Sequence, residues 1–304
     1  MENILQKKHY RSAFYIIILL IVIIAIILRF FVLPQFDPTL ITGFLELCAA
    51  LLDGLLISLI VTVLIGSFVF WLTPEIVKKA VIEVIEPKEI GPLLTKATVD
   101  TKSWIYKGAC GRYTSATTLP ALAKAAKSAD IGRDIRLTVL NPGNSNVCSE
   151  YAIYRKSLRS SEKDYWSTTK VQELVLATIV SALRLRHNEP LLRIDIFLID
   201  HFSAFRLDIS DQYVVITKED AKAAGLRADK GSYFYDSYID DVRLSERQSK
   251  EVTFKNEVPM DDQLTNDSLK EIILQADLIS VEVLENLDLS AIADGIKLPK
   301  DPYA

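Results

Sequence analysis

Two long apolar runs near the start of the chain, Phe14 to Leu33 and Phe44 to Leu72, restrict what the remainder can fold into. A helix rising about 1.5 Å per residue needs ~20 residues to cross ~30 Å of hydrocarbon. The first run has that length and carries one charge, Arg29, near its far end. Ile16 to Leu28 lacks the polar stripe that a core helix of a soluble protein turns toward water. A signal peptide has an apolar core of only ~7–15 residues followed by small residues, whereas this run continues into Arg29-Phe30-Phe31 and a second run follows at once. The reading is a retained membrane hairpin over residues 1–72.

The two runs are joined by Pro34-Gln35-Phe36-Asp37-Pro38-Thr39, whose prolines cannot continue a helix, so the spans are antiparallel neighbours. Lys7, Lys8 and Arg11 precede the first span and Lys78 and Lys79 follow the second, while the connection from Phe30 to Gly43 has no basic residue. By the positive-inside rule both termini face the cytoplasm. Cys48 lies in a span, and Cys110 and Cys148 have no CxxC or metal spacing, so the three thiols suit a reducing compartment. Residues 1–85 carry six basic and six acidic side chains, so the net charge of −4 belongs to the soluble part. That balance argues against a broad nucleic-acid surface.

Polar groups in a span need partners, because a carboxylate in hydrocarbon costs roughly 2.5–3.5 kcal/mol on insertion scales. Glu46 and Asp53 lie two helical turns apart on the second span, with Arg29 as the nearest counter-charge for Glu46. Asp53 is then left to face a polar pore or the interior of an oligomer. On the same span Gly54, Ser58, Thr62 and Gly66 recur every four residues, a small-residue face that lets another helix approach closely. Thr73-Pro74-Glu75 reads as a helix start, and the periodic Ile76, Val77, Ala80, Val81, Val84 and Ile85 predict a connector helix from Pro74 to Glu86 within residues 73–87.

Residues 88–304 alternate elements. Ser103 to Tyr106, Ile135 to Leu140, Leu191 to Ile199, Tyr213 to Thr217 and Ser232 to Tyr235 read as strands. Leu119 to Ala129 and Thr168 to Arg186 read as helices, and the chain ends with a helix at Ser268 to Ala276 and a strand at Leu278 to Leu284. Strands separated by helices predict one α/β domain, a mixed sheet with helices on its faces. Within it, Trp104-Ile105-Tyr106-Lys107-Gly108-Ala109-Cys110-Gly111-Arg112-Tyr113-Thr114 places two glycines after a strand, where backbone can approach a ligand. Arg112 and Thr114, with Lys107 and Arg206, are the candidate phosphate contacts. Arg206-Leu207-Asp208-Ile209-Ser210-Asp211 otherwise reads as an internally paired turn. No HExxH, GxSxG or GxxxxGK[ST] occurs, and with three histidines no metal site or cofactor is expected.

The order Trp104-x-x-x-Gly108-x-x-Gly111-Arg112, a helix, a strand ending in Asn141-Pro142, Tyr151-x-x-Tyr154-Arg155, a long helix, Ser203-x-x-Arg206-x-Asp208 and Gly231-Ser232-x-Phe234-Tyr235 resembles a degenerate phospholipase D-like fold. It covers about Trp104 to Tyr238, and the resemblance implies paired α/β halves around a phosphodiester cleft. The family's His-x-Lys-x-x-x-x-Asp is missing: Arg11, Glu189 and Ser203 stand two residues after His9, His187 and His201, so no catalytic residue is carried over. A two-span hairpin joined to a cytoplasmic domain is also similar to the two-transmembrane effectors of bacterial anti-phage systems, retron-associated ones included. That likeness implies abortive infection by membrane disruption, with the lipid bilayer, other copies of the chain, and a protein or nucleoprotein regulator such as a reverse transcriptase with its nucleic acid as partners. The alternatives are a tethered enzyme acting on a phosphodiester or nucleotide, and a ligand-binding membrane scaffold.

Overall fold

A computed structural model describes residues 8–32, 35, 42–72, 80–159, 162–220, 222–253, 260 and 264–299. The chain divides into two compact units, with the boundary between Lys79 and Ala80. In the first unit, helix α1 spans Lys8–Ile27 and widens into a π turn over Leu28–Val32, and helix α2 spans Thr42–Leu72. Tyr15 Oη lies 3.1 Å from Ser67 Oγ, and Arg29 donates from Nε to Asp53 Oδ1 at 3.0 Å and from Nη2 to Asp53 Oδ2 at 3.2 Å. Early residues of α1 thus meet late residues of α2, which makes the pair antiparallel. That register corrects the expected Arg29–Glu46 pair. Glu46 lies seven residues before Asp53, about 10 Å farther along α2, where Arg29 does not reach.

The second unit is built on an eight-stranded mixed sheet. Its strands are β1 (Glu83–Ile85), β2 (Ser103–Lys107), β3 (Arg133–Leu140), β4 (Leu192–Ile199), β5 (Phe205–Ile209), β6 (Tyr213–Lys218), β7 (Gly225–Asp229) and β8 (Lys250–Glu251), in the order β1-β7-β6-β5-β2-β3-β4-β8. Only β2-β3 and β3-β4 pair in parallel. Parallel neighbours need crossovers, and helices supply them: α4 (Leu119–Ala129) between β2 and β3, then α5 (Ser145–Ser157) and α6 (Thr168–Asn188) between β3 and β4. Helix α3 (Pro87–Asp100) precedes β2, and α7 (Tyr233–Arg247), α8 (Asn266–Gln275), the single turn α9 (Val281–Leu284) and α10 (Leu289–Lys297) follow β7.

Strand side chains alternate between faces, and the two faces bury unequal cores. Trp104, Tyr106, Ile135, Leu137, Val139, Ile194, Ile196 and Leu198 share the larger core with α3, α4, α5, α6, α8 and α10. On the other face Ile105, Leu207, Ile209, Val214 and Ile216 pack against Tyr235 and Val242 of α7.

Four expected elements differ. The connector helix does not extend over Glu83–Ile85, which pairs antiparallel with Arg227–Gly225 of β7, and Pro87 opens α3 instead of ending a helix. A β-branched apolar run can serve either period, and an available sheet edge decided it. Residues 74–79 of that expectation lie outside the described residues. Ser232–Tyr235 is no strand: the Ser232 hydroxyl accepts from Tyr235 N and caps α7. Leu278–Leu284 likewise has no strand pairing, and Leu278 and Ile279 are buried just before the turn α9. Finally, the expected turn around Arg206–Asp208 is the interior of β5, paired with both β2 and β6.

Candidate functional site

β5 runs antiparallel to β2, and β6 antiparallel to β5, so β6 points the same way as β2, β3 and β4. Four strands therefore end on one edge of the sheet. The loops that leave that edge begin at Gly108, Asn141, Asp200 and Glu219. The segment 200–204 crosses the ends of β3 and β2 to reach β5, because the strand order is β5-β2-β3-β4. Ligands of open α/β sheets bind in this position, at the carboxyl ends of parallel strands.

The glycines chosen from the sequence serve packing here. A Cβ on Gly108 would meet the Tyr106 phenol, and Gly111 has φ +67° with the Thr178 methyl 2.8 Å from where its Cβ would stand. Both glycines let the loop lie flat on Tyr106, Val139 and α6, where Thr178 Oγ1 donates to Cys110 O at 2.7 Å. This corrects the expectation that they open backbone toward a ligand.

The expected phosphate contacts are also separated. Lys107 turns to the α7 face of the sheet, where Nζ meets Asp241 Oδ2 at 2.7 Å. Arg206 and Asp208 share the opposite face with Tyr106, and both are buried. Alternation along β2 and β5 puts Lys107 and Arg206 on opposite sides, so one ligand cannot bridge them. Thr114 is buried at the start of a π turn. Arg112 alone of the four remains half-buried at the strand ends.

Arg112 does not stand by itself. Its guanidinium carbon lies 5.4 Å from the Trp166 ring centroid, and that of Arg155 lies 4.3 Å from the same ring. Arg155 Nη1 donates to Glu219 O at 2.6 Å and to Glu219 Oε2 at 2.9 Å, tying the end of α5 to the end of β6. Tyr151 packs edge-on to Trp166 at 6.0 Å and to Phe202 at 5.4 Å, and Phe202 reaches Tyr154 at 5.7 Å. Trp166, Arg155, Glu219 and Phe202 gather from four segments. Among them only Arg155 stands in a motif quoted from the sequence; nothing local marks Trp166, Glu219 or Phe202.

The electrostatics of the cluster favour binding over nucleophilic chemistry. Burial pushes the Cys110 thiol up to about 12, with Glu219 adding to the rise and Arg112 among the groups opposing it. The thiol is therefore protonated at neutral pH and is no nucleophile. Burial also raises the Tyr106 and Tyr151 hydroxyls well above their ordinary range. Arg206 Nε sits 3.2 Å from Asp208 Oδ2, and both side chains of this ion pair are buried. Burial lifts Asp208 to about 6, with the charge of Arg206 holding it back. A separate concavity of about 330 Å³ between β1, α3 and β7 is lined by Glu83, Lys88, Glu89, Lys96 and Arg227 among others, and contains none of the residues chosen from the sequence.

In the first unit, Asp53 is paired with Arg29 of its own chain, while Gly54 has no atom within 4 Å of where a Cβ would stand and Ser58 is exposed. The start of the small-residue face is thus not consumed by packing within the hairpin, and Thr62 Oγ1 bonds back to Ser58 O at 2.8 Å.

No family model and no curated protein matches the chain. Among solved structures it is similar to an archaeal chromatin protein, reported as "Structure of TrmBL2, an archaeal chromatin protein, shows a novel mode of DNA binding", at 10% identity and a TM-score of 0.32, covering 71% of this chain and 72% of that one. A solved neighbour reported for DNA binding runs counter to the expectation of no broad nucleic-acid surface, which is not carried further; a likeness this distant assigns the chain no ligand.

Proposed function

We propose that the chain is a membrane-anchored effector or sensor whose α/β unit controls the oligomeric state of a two-span hairpin, as in abortive-infection effectors of bacterial anti-phage systems. The carrying observation is the apolar flank of the helix pair. Within α1, Ile18 and Ala25 are buried, while Ile16, Leu19, Leu20 and, in the π turn, Phe30 and Phe31 are more than half exposed, as are Leu51, Ile57 and Leu64 of α2. Their candidate spans, Tyr15–Val32 and Glu46–Phe68, have mean hydropathies of 3.2 and 2.5. An apolar band of this extent is covered by lipid or by other helices, because monomeric soluble proteins rarely expose contiguous patches beyond a few hundred Å². A phospholipase D-like origin of the α/β unit is part of the same reading, supported by its mixed sheet with helices on both faces.

Regulated expression in bacteria with a membrane-potential dye tests the proposal. The whole chain is expected to depolarise the membrane and residues 86–304 alone to leave it polarised. Toxicity of the fragment would favour an enzyme acting on a phosphodiester or nucleotide, and silence from both would leave a scaffold. A reporter fused after Asp37 is expected to read as periplasmic and one after Ala304 as cytoplasmic, from the five flanking basic residues against none in the loop. The reverse pattern would overturn the orientation.

The intrachain ion pair gives a further expectation. Arg29→Leu strands Asp53 in the span, at a cost of about 2.5–3.5 kcal/mol, and is expected to lower the yield of inserted chain in membrane fractions. Exchanging the charges, Arg29→Asp with Asp53→Arg, is expected to restore it. A single leucine variant that inserts as well as the parent chain would show that the pair lies at the interface, in contact with water.

A further inference from the structure

Two guanidiniums lie on one buried indole, and one of them also holds a carboxylate. Arg155 spends Nη1 on Glu219, while its buried Nε has no partner, and the Arg112 guanidinium has no ion pair or hydrogen bond among the described residues. A cation held against an aromatic ring keeps the N–H donors at its edge directed and available, and a guanidinium fork matches the oxygens of a phosphate. Fixing the side chain beforehand also reduces the entropy lost when a ligand is gripped.

The surroundings select the rest of the ligand. Cys110 beside the arginines is protonated and adds no charge, while Arg112 and Arg155 are set against Glu219, with Asp220 acting on Tyr154 at the rim. Phe202 and Tyr154 are half-buried at the same strand ends, and Tyr165, in edge contact with Trp166 at 5.2 Å, is 38% exposed. Partly exposed rings beside a directed cation suit a flat base attached to a phosphate, since stacking on aromatics is worth ~1–3 kcal/mol per base.

We propose that the carboxyl edge of the sheet binds a nucleotide, its phosphate held by Arg112 on the Trp166 ring with Arg155 behind it and its base against the rim formed by Phe202, Tyr154 and Tyr165. This site is independent of whether the hairpin disrupts membranes. It assigns the α/β unit a small-molecule input that a depolarisation assay does not read.

Isothermal titration of the full chain in detergent, with each of the four ribonucleoside 5′-monophosphates, adenosine and inorganic phosphate, tests it. At least one monophosphate is expected to bind, inorganic phosphate to compete with it, and adenosine to bind at least tenfold more weakly than its monophosphate. Arg112→Ala is expected to weaken binding about 10- to 100-fold, the range of one charge-assisted contact, with an unchanged thermal midpoint. Arg112→Lys keeps the charge but loses the planar fork and is expected to recover only part of the affinity. Arg112→Gln, still able to lie on the ring but uncharged, serves if the alanine variant does not fold. Absence of binding by every monophosphate at millimolar concentration overturns the proposal. So does equal affinity for adenosine and its monophosphate, or full affinity in the alanine or glutamine variant.

Discussion

Gly108→Ala is expected to destabilise the α/β unit by about 3 kcal/mol, the upper part of the range for forcing extra atoms into a packed core. The new Cβ would stand 2.6 Å from Tyr106 Cζ, nearer still to the phenol oxygen, and 3.1 Å from Arg206 Cγ. Neither neighbour can move cheaply. Tyr106 is 2% exposed within the larger core, and Arg206 lies against it with its charge set beside Asp208. Chemical denaturation of the full chain in detergent, followed by near-ultraviolet circular dichroism, measures the loss. Gly108→Ala combined with Tyr106→Leu is expected to cost less than the sum of the two single changes, because residues in contact do not add. A loss below about 1 kcal/mol for the single variant would show that the phenol ring swings aside at little cost, a result at odds with close packing.

The second large effect is a dependence on pH from Asp208. Its carboxyl titrates at about 6 in the folded unit, against 3.8 for the free side chain, because burial penalises the charge more than Arg206 compensates for it. Between those two values the native state holds a proton that the unfolded chain has released. Stability from this group is therefore complete below about pH 4 and is lost as the pH rises through about 6, for a total on the order of 3 kcal/mol. Glu246, also raised by burial with Arg136 opposing, contributes with the same sign. Asp208→Asn resembles the protonated carboxyl. It is expected to match the parent chain near pH 4, to exceed its stability by up to that amount near pH 8, and to flatten the slope between, in urea unfolding of the full chain in detergent. Identical pH profiles for the two proteins would mean that water reaches the carboxylate.

Several features are legible without coordinates because they depend on neighbours in sequence. Helix α4 falls on Leu119–Ala129 as its alanine-rich period predicts, and β3, β4 and β6 differ from their apolar runs by only one or two residues. The two long apolar helices follow from length and composition alone. Each of these segments has one period that no competing partner overrides. Ser232–Tyr235 and Leu278–Leu284 lack that protection: short runs of aromatic or branched residues fit a strand or a helix start equally well, and a capping serine decided the first. The β5 strand was hidden for a related reason, since its Arg206 and Asp208 look like a solvated pair until β2 and β6 cover both sides.

The candidate site divides along the same line. Arg112 can be chosen from its place after a strand and two glycines, but the reason for those glycines comes from Tyr106 and Thr178, the latter distant in sequence. Lys107 and Arg206 read as one cationic cluster in the chain, and the alternation of side chains across the sheet sends them to opposite faces. Trp166 and Glu219 gain their meaning only when α6 and β6 bring them beside Arg155. In the hairpin, charge and spacing mark Arg29, Glu46 and Asp53 as groups in need of partners, yet which carboxylate Arg29 takes depends on the register of two antiparallel helices. The sequence by itself determined hydrophobic length, strand period and the chemical types available. Tertiary structure decided which of those groups face one another, because pairing and burial are properties of distance in space, to which separation along the chain is nearly indifferent.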